Sequence, residues 1–110
     1  MYRIEYLPTA LDDLKEIVSY IAETLYNPKA AQDLSEEIVE QVERLVIFPY
    51  SAPSYFPIRK LTHEYRRLQV KNFFVFYWVD EPSENDDENK KTVTIARVIY
   101  VHRNIDKLLS

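Results

Sequence analysis

Five residues of this 110-residue chain have types and spacing suited to chemistry on a phosphate: the adjacent Arg66 and Arg67, and the C-terminal set Tyr100, His102 and Arg103. Arginine stays protonated and offers a fixed fork of N–H donors that fits phosphate oxygens two at a time. Histidine titrates near neutral pH and serves as acid or base. Tyrosine can stack on a nucleobase or donate its hydroxyl. Arg59, Lys60 and Lys71 lie in the same stretch as the arginine pair, and residues 50–71 hold five basic side chains against the single acid Glu64. Such a cluster is an electrostatic footprint for phosphates. The total points the other way, because a net charge of −4 does not draw nucleic acid by itself. The plainer reading makes these arginines solvated strand residues and His102 a surface residue ending a strand.

Placement decides between those readings. Neighbours on a strand point to opposite sheet faces, so only one of Arg66 and Arg67 can serve a given site, and the spacing leaves open which. Tyr100 and His102, two apart, share a face if the last strand runs that far, with Arg103 on the other face or in a tail. His63 and Glu64 adjoin the basic stretch, where Glu64 reads as an exposed turn residue or as a base. The acids Glu84, Asp86, Asp87 and Glu88 lack the glycine and distal glutamate of a calcium loop and read as a solvated tip.

The elements that must carry these residues are legible in the hydrophobic periods. Tyr2, Ile4 and Tyr6 alternate with Arg3 and Glu5 as in a short strand, which Pro8 ends. Thr9 with Asp12 resembles a capping box. Leu11, Leu14, Val18, Ile21 and Leu25 then form one apolar helical face. Asn27-Pro28 closes that helix, Asn taking the left-handed cap and Pro opening the next helix. Ala31, Leu34, Ile38, Val42 and Leu45 repeat the pattern up to Phe48-Pro49. The segment 49–57 holds three prolines and reads as an ordered loop. Strands are expected over Tyr65–Val70, Phe73–Val79 and Thr92–Val101, with Lys71-Asn72 as a two-residue turn and a polar insert over 81–91 within the acidic hairpin 80–91. The expected fold is α+β over one domain, 1–110: an N-terminal strand, an antiparallel two-helix hairpin, then an antiparallel β-meander. Phe73, Val75 and Tyr77 face opposite to Phe74, Phe76 and Trp78, so both sheet faces are apolar and need cover.

Absences narrow the class further. With no cysteine there is no disulfide framework, thiolate metal site or thiol nucleophile. With no glycine, phosphate-cradling loops and dinucleotide fingerprints are excluded, and left-handed turn positions are expected to fall to Asn and Asp. No stretch approaches a membrane span, and the N-terminus lacks an export signal, so a cytoplasmic protein without cofactor or metal is expected.

In this order of elements, the stretches YRRLQVKNFFVFYWVDE and VTIARVIYVHRNIDKLL resemble the RelE/ParE toxin pattern. That pattern has an arginine-bearing strand, an aromatic strand, a variable hairpin and a final Arg-Val strand entering a basic tail. ALDDLKEIVSYIAE and NPKAAQDLSEEIVEQVERLVIFP are similar to the family's helices, so the resemblance spans nearly the whole chain. It implies the toxin of a bacterial type II toxin–antitoxin pair, with a cognate antitoxin as partner. RelE-like members cut mRNA on the ribosome without a metal, whereas ParE-like members inhibit DNA gyrase.

For RNA cleavage, a base must take the 2′-hydroxyl proton, cations must stabilise the phosphorane-like charge, and an acid must protonate the leaving oxygen. By resemblance, Tyr100 occupies the family's Tyr/His position and His102-Arg103 its basic pair. Arg59 and Lys60 are similar to the lysine-bearing loop of RNA-cleaving relatives. Asn104 replaces a usual acid and Val101 a usual glycine, and both are departures. The sequence reading therefore favours a ribosome-dependent mRNA endonuclease, with gyrase inhibition as its alternative. An antitoxin helix or strand is the expected cover for the second sheet face.

Overall fold

The structure is a computed structural model and describes residues 1–56, 63–85 and 90–109. The chain runs β1 (Arg3–Tyr6), α1 (Pro8–Ser19), a π turn (Tyr20–Thr24), α2 (Pro28–Glu43) and a 3-10 turn (Arg44–Val46). It continues through β2 (Arg66–Val70), β3 (Phe73–Asp80) and β4 (Thr92–Tyr100) to the short helix α3 (Ile105–Leu109). The sheet order is β1-β4-β3-β2, with β2, β3 and β4 antiparallel and β1 parallel to β4. This is the α+β arrangement expected from the hydrophobic periods.

The helices differ in detail from the pattern read in sequence. Helix α1 starts with Pro8 at its first turn and Leu7 as the cap residue, whose side chain cannot cap. The Thr9/Asp12 capping box does not form, because the Thr9 hydroxyl donates instead to the Ala96 carbonyl at 2.9 Å, tying α1 to β4. The inward line is Ala10, buried, with Leu14, Ile17 and Ile21 partly buried against the core, while Leu11 and Leu25 reach solvent. The π turn is the physical reason for Leu25: its N–H bonds back five residues to the Tyr20 carbonyl, which adds a residue to the turn and rotates Leu25 away from the core. Helix α2 follows its expected face, with Ala31, Leu34, Ile38, Val42 and Leu45 all buried. Each of the larger aliphatics Leu34, Ile38, Val42 and Leu45 contributes roughly 1.5–3 kcal/mol by leaving water. Asn27 caps α2, its side-chain oxygen accepting from the Ala30 N–H at 3.1 Å. It does not take the left-handed position. Tyr26 does, at φ 52, and Lys71 takes it in the β2–β3 turn at φ 53, so neither falls to Asn or Asp.

Both helices cover one sheet face, where Val70, Val75, Tyr77, Val93, Ile95 and Val98 pack against Ala10, Leu34, Ile38 and Val42. Tyr77 is fully buried there; its hydroxyl donates to the Pro49 carbonyl at 2.8 Å, and burial pushes its phenol up. The other face is covered by the chain itself. Tyr65, Phe76, Ala96 and Ile99 pack with Leu7 and Tyr55 and with Ile105, Leu108 and Leu109 of α3. The expected external cover is thus supplied largely from within, because the chain beyond β4 folds back over that face.

Candidate functional site

Arg66 and Arg67 stand on edge strand β2 and point to opposite faces, as alternation requires. Arg66 pairs with Tyr77 in the ladder and turns to the helical side, where its guanidinium donates to the Ala52 carbonyl at 2.7 Å and lies 4.8 Å from the Tyr50 ring centre. This arginine pins the loop after α2 to the sheet. Arg67 is on the other face, half-exposed, with its guanidinium 4.4 Å from the Phe74 ring centre and 5.4 Å from that of Tyr55. Its backbone N–H donates to the Pro53 carbonyl at 3.0 Å, but its guanidinium has no hydrogen-bond acceptor among the described residues.

Tyr100 ends β4 opposite Phe73, on the rung that β2 completes with Val70. His102 lies in the turn just beyond, its ring edge-on to Tyr100 at 5.2 Å, and the Arg103 N–H closes that turn onto the Tyr100 carbonyl. The pair Tyr100/His102 is therefore formed as expected. It is not formed beside the arginines. Strand β3 separates β2 from β4, and the Arg66 and Tyr100 rungs are four residues apart, roughly 13 Å along the strands and a further ~10 Å across them. Arg67 is one rung nearer but faces the other way, since Phe76 opposite it packs away from the helices. The expected union of guanidinium and Tyr/His across adjoining strands is corrected on this point: the strands do not adjoin, and β3 lies between the groups. Lys71 sits at the β2–β3 turn, exposed. Arg59 and Lys60 lie outside the described residues. His63 stacks flat on Trp78, ring centres 3.6 Å apart, and Glu64 is exposed beside it.

The polar cluster that does assemble joins two of the sequence candidates, Tyr100 and Arg103, to Asp13, Glu16 and Arg97, which sequence reasoning did not single out. Asp13 of α1, Glu16, Arg97, Tyr100 and Arg103 line a small cavity of about 110 Å³ at the end of β4. A bulge creates its centre. Phe76 pairs with Arg97 and Tyr77 with Ile95, so Ala96 is an extra residue on β4 and the Arg97 side chain is redirected. Arg97 then grips Asp13 with two bonds of 2.7 and 3.0 Å and the Leu108 carbonyl with a third of 2.9 Å. Asp13 also accepts from the Val98 N–H at 2.9 Å. The bond to Asp13 drives the Arg97 guanidinium still further up in pKa. One ion pair so joins α1, β4 and α3. The signal for it was visible: Arg97 is the lone charge in the run TVTIARVIY, and a charge at a core position needs a partner.

Chemically, this cavity holds an arginine whose donors are taken by the fold, while Arg67 is stacked on rings outside it. Among the described residues, no three His, Asp or Glu side chains gather where they could hold a metal ion, and no helix is long and apolar enough to cross a membrane.

A second feature of the helical side is an apolar groove of about 670 Å³ beside edge strand β1, walled by Ile4, Tyr6, Leu11, Leu14, Val39 and Ile47. It lies at the end of the hairpin remote from the π turn.

No curated protein sequence matches the chain. Among solved structures it is similar to one titled "Chromosomal ParDE TA system from P. aeruginosa", with TM-score 0.68 and 22% identity, over 93% of this chain and 98% of that one. At that identity the likeness is one of fold. Residues 4–105 match the family model described as "ParE toxin of type II toxin-antitoxin system, parDE". Spanning all four strands and both long helices, that match shows that the chain belongs to the ParE toxin family of type II toxin–antitoxin systems.

Proposed function

We propose that this toxin acts by binding DNA gyrase, as ParE-like toxins do, and not by cutting mRNA. The observation that supports this reading is the separation of Arg66 and Arg67 from Tyr100 and His102. RNA cleavage needs cations and an acid–base pair around one phosphate, within hydrogen-bond reach of the reacting atoms. Here Arg66 and Arg97 are bound to the fold's own carbonyls and carboxylate, which leaves them unavailable to a substrate. The acidic total also favours a protein target over a ribosomal RNA surface. Gyrase places the site of action in the cytoplasm.

The antitoxin's seat, in this reading, is the apolar groove beside β1. An extended segment can add a strand to the free edge of β1 while its apolar side chains enter the groove. Leu11→Glu at the groove mouth is expected to weaken antitoxin binding at least about tenfold.

The target is tested with purified gyrase and, in parallel, with a cell-free translation reaction. The expected result is loss of negative supercoiling and intact mRNA. Ribosome-dependent cleavage of mRNA, abolished in Arg67→Ala and His102→Ala, would instead restore the nuclease reading.

A further inference from the structure

At the end of the hairpin remote from the groove, α1 closes through the π turn, whose Leu25 N–H bonds to the Tyr20 carbonyl at 3.1 Å while the Asn27 N–H reaches Ile21 at 3.0 Å. Tyr26 is driven into the left-handed region at φ 52, a conformation that is uncommon and strained for a bulky residue. The position is that of a helix C-terminal cap, where the Asn27 N–H bond to Ile21 holds the turn, but caps of this kind ordinarily use Gly or Asn and not a bulky ring. Tyr26 is 88% exposed and makes no hydrogen bond or ring contact with any described residue. Beside it, Tyr20 and Leu25 are 55% and 54% exposed. Irregular turns, residual strain and unpacked aromatics each concentrate where proteins bind, and large rigid side chains of this kind anchor protein interfaces.

We propose that this tip, formed by Tyr20, Leu25 and Tyr26, is the surface that engages gyrase; the proposal rests on the gyrase reading above. The contact is with gyrase protein and not with its DNA, because residues 1–49 carry ten acids against four bases and repel phosphates. The complementary surface is accordingly an apolar pocket with a basic rim. A second copy of this chain does not fit the role. Seating the tip in a neighbour's groove would give a head-to-tail contact that does not close.

The test uses the whole chain in a gyrase supercoiling assay, with thermal unfolding alongside. Tyr26→Asn places a residue that tolerates the left-handed region, and it should raise Tm by a few degrees, about 2–4 °C. The same variant should need at least about tenfold more protein to inhibit gyrase, whereas Tyr26→Phe, keeping the ring, should stay within about twofold of the parent. A stable Tyr26→Asn variant that inhibits gyrase as well as the parent overturns the tip as the contact surface. A fall in Tm for Tyr26→Asn overturns the strain argument. If the unaltered chain leaves gyrase active, the target itself is wrong and the partner named here goes with it.

Discussion

Arg67 and Arg97 flank Phe76 on the same rung of the sheet, one on the edge strand and one on the interior strand, yet they are held in opposite ways. Arg97 gives its N–H groups to Asp13 and the Leu108 carbonyl. The Arg67 guanidinium is stacked on two rings and bonded to no acceptor among the described residues. A guanidinium can complete a fold or meet a ligand, and burial decides which. Inside the sheet a charge must be paired to be tolerated, whereas at the edge water satisfies it. The arginine set in an apolar strand is the one whose contacts hold three elements together.

Breaking the interior pair should have the largest effect. Arg97→Ala leaves Asp13 partly buried without its counter-charge and frees α3 from β4, so a loss of about 3 kcal/mol or more is expected by urea unfolding. A loss below about 1 kcal/mol would mean that the pair is incidental. Arg66→Ala comes next. It removes a charge-assisted bond to the Ala52 carbonyl, with an expected loss of about 1.5 kcal/mol. Arg67→Ala should be mildest of the three, at about 0.5–1 kcal/mol from its ring contacts. An Arg67 loss matching that of Arg97 would erase the distinction drawn here.

A smaller effect distinguishes the edges of the sheet by pH. The Tyr2 hydroxyl donates to Glu81, and this bond to a carboxylate holds the phenol protonated up to about 12, against an ordinary value near 10. A raised pKa means that the folded state keeps its proton longer. The stabilisation is therefore complete below pH 10 and is lost as pH rises from 10 to about 12. Tyr2→Phe should unfold with a shallower pH dependence across that window, measured by thermal melts. Parallel curves for the two proteins would show that the bond contributes nothing.

The helical and strand periods were legible because each is local: the spacing of Ala31, Leu34, Ile38, Val42 and Leu45 needs only the helix's own geometry to define a face. Alternation along their own strand likewise placed the neighbours Arg66 and Arg67 on opposite faces before any partner was known. Where one residue is added or one neighbour is remote, local reasoning stopped. The π turn carried Leu25 out of the predicted face, and the absence of glycine handed the left-handed positions to Tyr26 and Lys71 rather than to Asn or Asp.

By itself, then, the sequence determined the order of elements, the apolar faces of α2 and the strands, and the resemblance that the family match bears out. Strand order was the tertiary structure's decision. Inserting β4 between β1 and β3 buries the most apolar strand on both sides, and it places β3 between the arginines and the Tyr100/His102 pair. The bulge at Ala96 and the return of α3 then chose Asp13 as Arg97's partner across more than eighty residues of chain, a distance over which no periodicity carries information.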